Sequence, residues 1–138
     1  MRTVLIVDDE PIARSGIRGI VSWQKLGFPR VLEAGDGTSA LGVLEDNRVD
    51  LLMADIVMEE MDGIRLVREA QRRNSELKAI LVTSFENFDT ARRALRSGAA
   101  ALIAKRELDA RTVTETLREI FPNSDPEYVL AADIVGRS

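Results

Sequence analysis

Short β-branched apolar runs alternate along this chain with stretches in which apolar residues recur at the spacing of one helix face. Thr3–Val7 reads as a first strand, and Pro11 opens a helix over residues 11–22 whose expected apolar face is Ile12, Ile17, Ile20 and Val21. Gly27 and Pro29 break the chain before a second strand, Arg30–Ala34. Gly35, Asp36 and Gly37 read as a turn, and Thr38 as the cap of a helix through Glu45 with Ala40, Leu41 and Leu44 inward. Residues 50–54 form the third predicted strand, and Gly63–Arg73 the third helix with Ile64, Val67 and Ala70 buried. Residues 78–82 are continuously apolar after Lys78, as a central parallel strand should be, and residues 87–97 read as a helix stopped by Gly98. A fifth strand is expected over 100–104 and a last helix over 111–120, with Val113, Leu117 and Ile120 on one stripe. Such alternation predicts a parallel sheet with helices on both faces. With right-handed crossovers, the fold class is α/β, a flavodoxin-like, doubly wound sheet of five strands.

Composition changes this picture mainly by exclusion. The 138 residues are 45% hydrophobic and 30% charged, a globular balance, and no apolar stretch approaches the roughly 20 residues of a bilayer crossing. The apolar run at the start is far too short for a signal peptide, so a cytoplasmic protein with no membrane association is expected. One domain over residues 1–121 is expected. Pro122, Asn123, Ser124, Asp125 and Pro126 then read as a linker, and 122–138 as a linker or tail with room for one short helix at 127–135. The chain has neither cysteine nor histidine, which excludes disulfides, thiolate and zinc sites, histidine-based triads and phosphohistidine on the chain itself. A net charge of −4 argues against direct nucleic-acid binding by this segment.

The candidate chemistry lies where the predicted strands stop. Asp8 and Asp9 follow the first strand and Asp55 follows the third, and ligand sites in open α/β sheets lie at the carboxyl ends of strands. Capping of the helix at Pro11 would use one of the first two acids, but two followed by Glu10 exceed what one helix end needs. Asp62, just before Gly63, is assigned mainly to capping. Two carboxylates 4 Å apart repel by roughly 4 kcal/mol at an effective dielectric near 20, so the pocket calls for a proton or a cation. An oxygen-only donor set points to Mg2+, which leaves coordination room for a phosphoryl oxygen. Thr83 and Ser84 after the fourth strand and Lys105 after the fifth supply a hydroxyl and an ammonium suited to phosphoryl oxygens. Singly, Thr83 is an ordinary strand former and Lys105 an ordinary solvated terminus; their joint placement carries the reading.

Together VLIVDDEP, the segment from Asp55 to Gly63, LVTSF from Leu81 and GAAALIAK ending at Lys105 resemble a bacterial response-regulator receiver domain, over about residues 1–121. The resemblance implies that Asp55 is the phospho-acceptor, that Asp8, Asp9, Asp55 and the backbone carbonyl of Val57 hold Mg2+, and that Lys105 contacts the acyl phosphate. Thr83 would be the switch hydroxyl, a charge event biasing a bistable element. A partner sensor histidine kinase would supply the phosphoryl group, so the chain would promote its own phosphorylation and dephosphorylation without being an enzyme that turns over a metabolite. The run from Arg14 to Trp23 further resembles receivers attached to AraC-type DNA-binding regions, which implies transcription regulation through a segment absent from these residues.

Three residues depart from the family pattern: Glu59 for a usual proline, Leu102 for a usual aromatic switch residue and Arg106 for a frequent proline. They motivate an alternative, a receiver-like protein-binding module that acts without phosphorylation, which the intact acid, hydroxyl and lysine set opposes. A nucleotide-binding enzyme of similar topology is a third class, and the lack of a glycine-rich loop after Val7 counts against it. Arg92, Arg93 and Arg96, with Glu107, Asp109 and Arg111, offer alternating charge for a homodimer, although a charge-rich helix is usually a solvated one.

Overall fold

Successive residues of a strand point to opposite faces of a sheet, and here both faces are apolar. In the computed structural model, which describes residues 2–58, 61–84 and 87–122, the five runs pair as parallel strands. They are β1 (Thr3–Val7), β2 (Arg30–Ala34), β3 (Leu51–Asp55), β4 (Lys78–Thr83) and β5 (Ala101–Ala104), in the order β2-β1-β3-β4-β5. The helices α1 (Pro11–Ile20), α2 (Gly37–Asp46), α3 (Gly63–Arg73), α4 (Phe88–Arg96) and α5 (Ala110–Ile120) make the crossovers.

Period-two alternation in the strands divides the interior into two cores. Val4, Ile6, Met53, Val82 and Ile103 pack with Ile17 of α1 and with Val113 and Leu117 of α5. Leu5, Val7, Leu52 and Leu81 face the other way, onto Ala40 and Leu44 of α2, Ile64, Val67 and Ala70 of α3, and Ala94 of α4. The expected α/β fold, with a doubly wound parallel sheet covered on both faces, is therefore the one observed. Its order reverses between β1 and β3, the switch point at which such sheets bind ligands.

Several local expectations are corrected. Helix α1 ends at Ile20 because Val21 is extended, at φ −138° and ψ 165°. Trp23 then turns into the core, and its indole N–H donates to the Ile17 carbonyl at 3.3 Å, satisfying an acceptor of the last turn. Ile12 is 88% exposed and does not share the buried face: it precedes Ile17 by five residues, about 140° around the helix. Helix α2 is capped by Asp36, whose carboxylate accepts from the Ser39 amide at 2.7 Å, and not by Thr38. An anionic cap two residues earlier leaves Gly37 as the first helical residue, where a Cβ would lie 2.7 Å from that of Met61. Strand β3 runs one residue further than expected, so Asp55 is its last member, and β4 likewise includes Thr83. Gly98, at φ +103°, stops α4 as anticipated. Glu59, Phe85 and the tail from residue 123, with its expected helix, lie outside the described residues.

Candidate functional site

Strand register brings the acids together. Val7 pairs with Ala54 and Asp55 with Val82, so Asp8, one residue beyond β1, is level with Asp55 at the end of β3. Thr83 pairs with Ala104, which places Lys105 one residue beyond it at the start of a short 3-10 turn.

Asp8 is 1% exposed. Its Oδ1 accepts from the Glu10 amide at 2.9 Å, which closes the turn into α1. The N-cap of α1 is Glu10, with no side-chain cap, so neither Asp8 nor Asp9 is used in the way the capping alternative required. The backbone of Asp8 is held from both sides: its amide donates to the Ala34 carbonyl at 3.3 Å, and its carbonyl accepts from Arg14 Nη1 at 2.7 Å. Glu33 on β2 orients that arginine, Nε to Oε1 at 3.2 Å, and takes Arg18 on its other oxygen at 2.6 Å. The part Arg14 plays in holding the site was not visible in sequence, because the contact joins its fork to a main-chain carbonyl.

Asp55 Oδ1 accepts from the Val57 amide at 3.0 Å, and Oδ2 lies 2.9 Å from Lys105 Nζ. The segment after β3 turns back at once: the Ile56 amide donates to the Val82 carbonyl at 3.0 Å and the Gly63 amide to the Ile56 carbonyl at 2.9 Å. Asp62 accepts from the Arg65 amide at 2.8 Å, the capping role expected for it, and stands apart from the acid cluster. Thr83 is buried at the same edge, Ser84 is exposed, and Val57 presents a half-exposed apolar side chain.

The electrostatics of this edge are unbalanced. Carboxylate oxygens of Asp8, Asp9 and Asp55 lie within 4.8 Å of one another. Asp8 Oδ2 is buried without a hydrogen-bond partner, and its nearest cation is Lys105 Nζ at 3.9 Å. Burial pushes the Asp8 carboxyl above its ordinary value, and the charges of Asp55 and Asp9 add to this, while the Glu10 amide and Lys105 oppose it. Lys105 is raised in turn, chiefly by its hydrogen bond to Asp55. An orphaned buried oxygen beside two further carboxylates is a donor set that an oxygen-liganded divalent cation would satisfy. Of the residues singled out from sequence, the structure gathers Asp8, Asp9, Asp55 and Lys105 through these contacts and puts Thr83 on the adjacent strand end.

Comparison with known proteins agrees with this fold. Residues 4–118 match the response regulator receiver domain model. The receiver domain of AraT, a response regulator from Geobacillus stearothermophilus, superposes with a TM-score of 0.76 at 32% identity, covering 86% of this chain and 92% of that one. A CheX and CheY complex with BeF3 and Mg2+ from Borrelia burgdorferi gives 0.77 at 25%, covering 87% and 89%. A two-component transcriptional regulator AraC from Clostridium phytofermentans ISDg shares the fold, at 0.75 and 24%, covering 97% and 98%. The chain spans between 13% and 61% of the length of the curated relatives it matches, among them response regulators and a sensor kinase. No helix among the described residues is long and apolar enough to cross a membrane. Over nearly all of its described length, from the acid pair after β1 to the lysine after β5, this chain belongs to the response regulator receiver domain family.

Proposed function

We propose that the chain accepts a phosphoryl group on Asp55 from a phosphohistidine of a partner sensor kinase. In that step a carboxylate oxygen of Asp55 forms a bond to phosphorus as the histidine N–P bond breaks, and the imidazole leaves with the electron pair. The observation that carries this reading is the Asp55 carboxylate at a strand end, 2.9 Å from Lys105 Nζ and beside the orphaned Asp8 Oδ2. Lys105 offsets charge on the acceptor and then on the acyl phosphate. Asp8, Asp9, Asp55 and the Val57 carbonyl would hold Mg2+, which when bound supplies positive charge for the carboxylates and the phosphoryl oxygens. Thr83 turns its hydroxyl toward the phosphoryl group and biases the loop before α4. Leu102 is half-buried against the core that includes Ala94 of α4, so movement of α4 is coupled through aliphatic packing and not through an aromatic rotamer. Residues 1–121 are the receiver and the residues from 122 a link to a regulatory output, of the AraC type by the resemblance of residues 14–23, with a homodimer as the form it acts in.

Intact mass after incubation with Mg2+ and a small acyl-phosphate donor tests the reading, with Asp55→Asn alongside. A single phosphoryl adduct is expected, absent from the variant. An unmodified wild-type chain that also fails to bind Mg2+ would leave a protein-binding module that works without phosphorylation.

A further inference from the structure

We infer that the cleft between α3 and α4 is a binding site for a polyphosphate group, separate from the acidic pocket. The cleft is about 380 Å3, and Arg65 and Arg68 from α3 face Arg93 and Arg96 from α4 across it, over a floor that includes Ile64. A volume of that order suits a small ligand.

None of these four arginines has an acidic partner among the described residues, which is also true of Arg2, Arg30 and Arg118 elsewhere, whereas Arg14, Arg18, Arg48, Arg72, Arg73, Arg92 and Arg111 all have one; what sets the four apart is that they gather on one cleft. Four unpaired guanidiniums gathered on a chain of net charge −4 are a local reversal of sign. Helix electrostatics account for only part of it. Arg93 and Arg96 lie in the last turn of α4, where the dipole favours cations, but Arg65 lies in the first turn of α3, where the dipole disfavours them. Asp62, the one acid on the cleft among the described residues, already accepts from the Arg65 amide.

The chemistry of the lining selects the ligand. Planar, permanently charged forks match phosphate oxygens two at a time, and two pairs on facing helices suit a group carrying several negative charges, as a pyrophosphate or nucleoside polyphosphate does. Among the described residues, the lining offers no apolar anchor of the kind that seats a peptide apart from the buried Ile64. A bound polyphosphate would brace α3 against α4.

The test is calorimetric titration of the full chain in EDTA at about 0.1 M salt, with inorganic pyrophosphate and with a nucleoside triphosphate. Saturable one-to-one binding is expected, weakened by about tenfold in Arg65→Ala and in Arg96→Ala. Arg48→Ala, on an exposed arginine outside the cleft, and Asp55→Asn should bind as wild type, which separates this site from the phospho-acceptor. Equal affinities would identify the phosphates as the whole determinant, and tighter nucleotide binding would identify the nucleotide; either supports the site. No saturation with either ligand, equal weakening by Arg48→Ala, or binding of an acidic peptide in their place would overturn it.

Discussion

Aspartates that cap helices and the aspartate buried after β1 differ in what each oxygen meets. Asp36, Asp62 and Asp109 each accept a backbone amide at a helix start. For Asp36 and Asp109 that bond holds the carboxyl below its ordinary value. Asp8 also takes an amide on Oδ1, but Oδ2 is buried facing other acids, and its carboxyl is raised above the ordinary 3.8. A folded-state value above the unfolded one stabilises the fold fully below the unfolded pKa, and that contribution is lost as pH rises through the folded value. Metal-free Asp8→Asn should therefore be more stable than wild type by on the order of 1 kcal/mol near pH 7, with the gain vanishing below about pH 3.8. Urea midpoints of the two proteins in EDTA at both pH values check this; a lower midpoint for the variant at neutral pH would contradict it. The acids could be picked out from sequence because they stand where apolar runs stop. Which oxygen is left without a donor could not, because that depends on side-chain rotamers and on neighbours 47 residues away, Asp55 among them.

At the level of elements, both ends of α3 were legible in sequence, whereas the start of α2 and the end of α1 were not. Asp62 and Gly63 mark the start of α3 in sequence as in structure. The reason for the glycine is tertiary: a Cβ there would lie 2.4 Å from the Asp55 carbonyl oxygen and 3.0 Å from Leu81 Cδ2. Because the clash is with backbone, the helix or the strand end must shift. Gly63→Ala should cost about 1–3 kcal/mol and displace the Asp55 to Val57 turn, read as a lower urea midpoint and a changed Val57 amide resonance. An unchanged resonance with unchanged stability would show that α3 approaches the site less closely than described. The end of α1 departs from the periodic pattern because the Trp23 indole N–H donates to the Ile17 carbonyl and its ring packs on Phe28, at 6.0 Å edge to face. Nothing in helical periodicity announces a residue beyond the helix that folds back onto it.

On the scale of the whole molecule, one sheet separates two cores that share no side-chain layer. Leu66 of α3 is buried in one and Leu117 of α5 in the other. Leu66→Ala and Leu117→Ala should each cost about 2–5 kcal/mol, and the double variant should equal their sum to within about 0.5 kcal/mol. A larger deviation in denaturant unfolding would mean that the sheet transmits strain between its faces. Sequence by itself determined the number, kind and order of the elements, because period-two and helical patterns are local and both faces of a parallel sheet must be apolar. It also placed Asp8, Asp9, Asp55, Thr83 and Lys105 at strand ends. Tertiary structure alone decided the strand order that makes β1 and β3 neighbours, the register that levels Asp8 with Asp55, the 2.9 Å contact of Lys105, and the facing arginines of α3 and α4. Those are relations between segments far apart in the chain, fixed by packing and sheet pairing, and no local pattern encodes them.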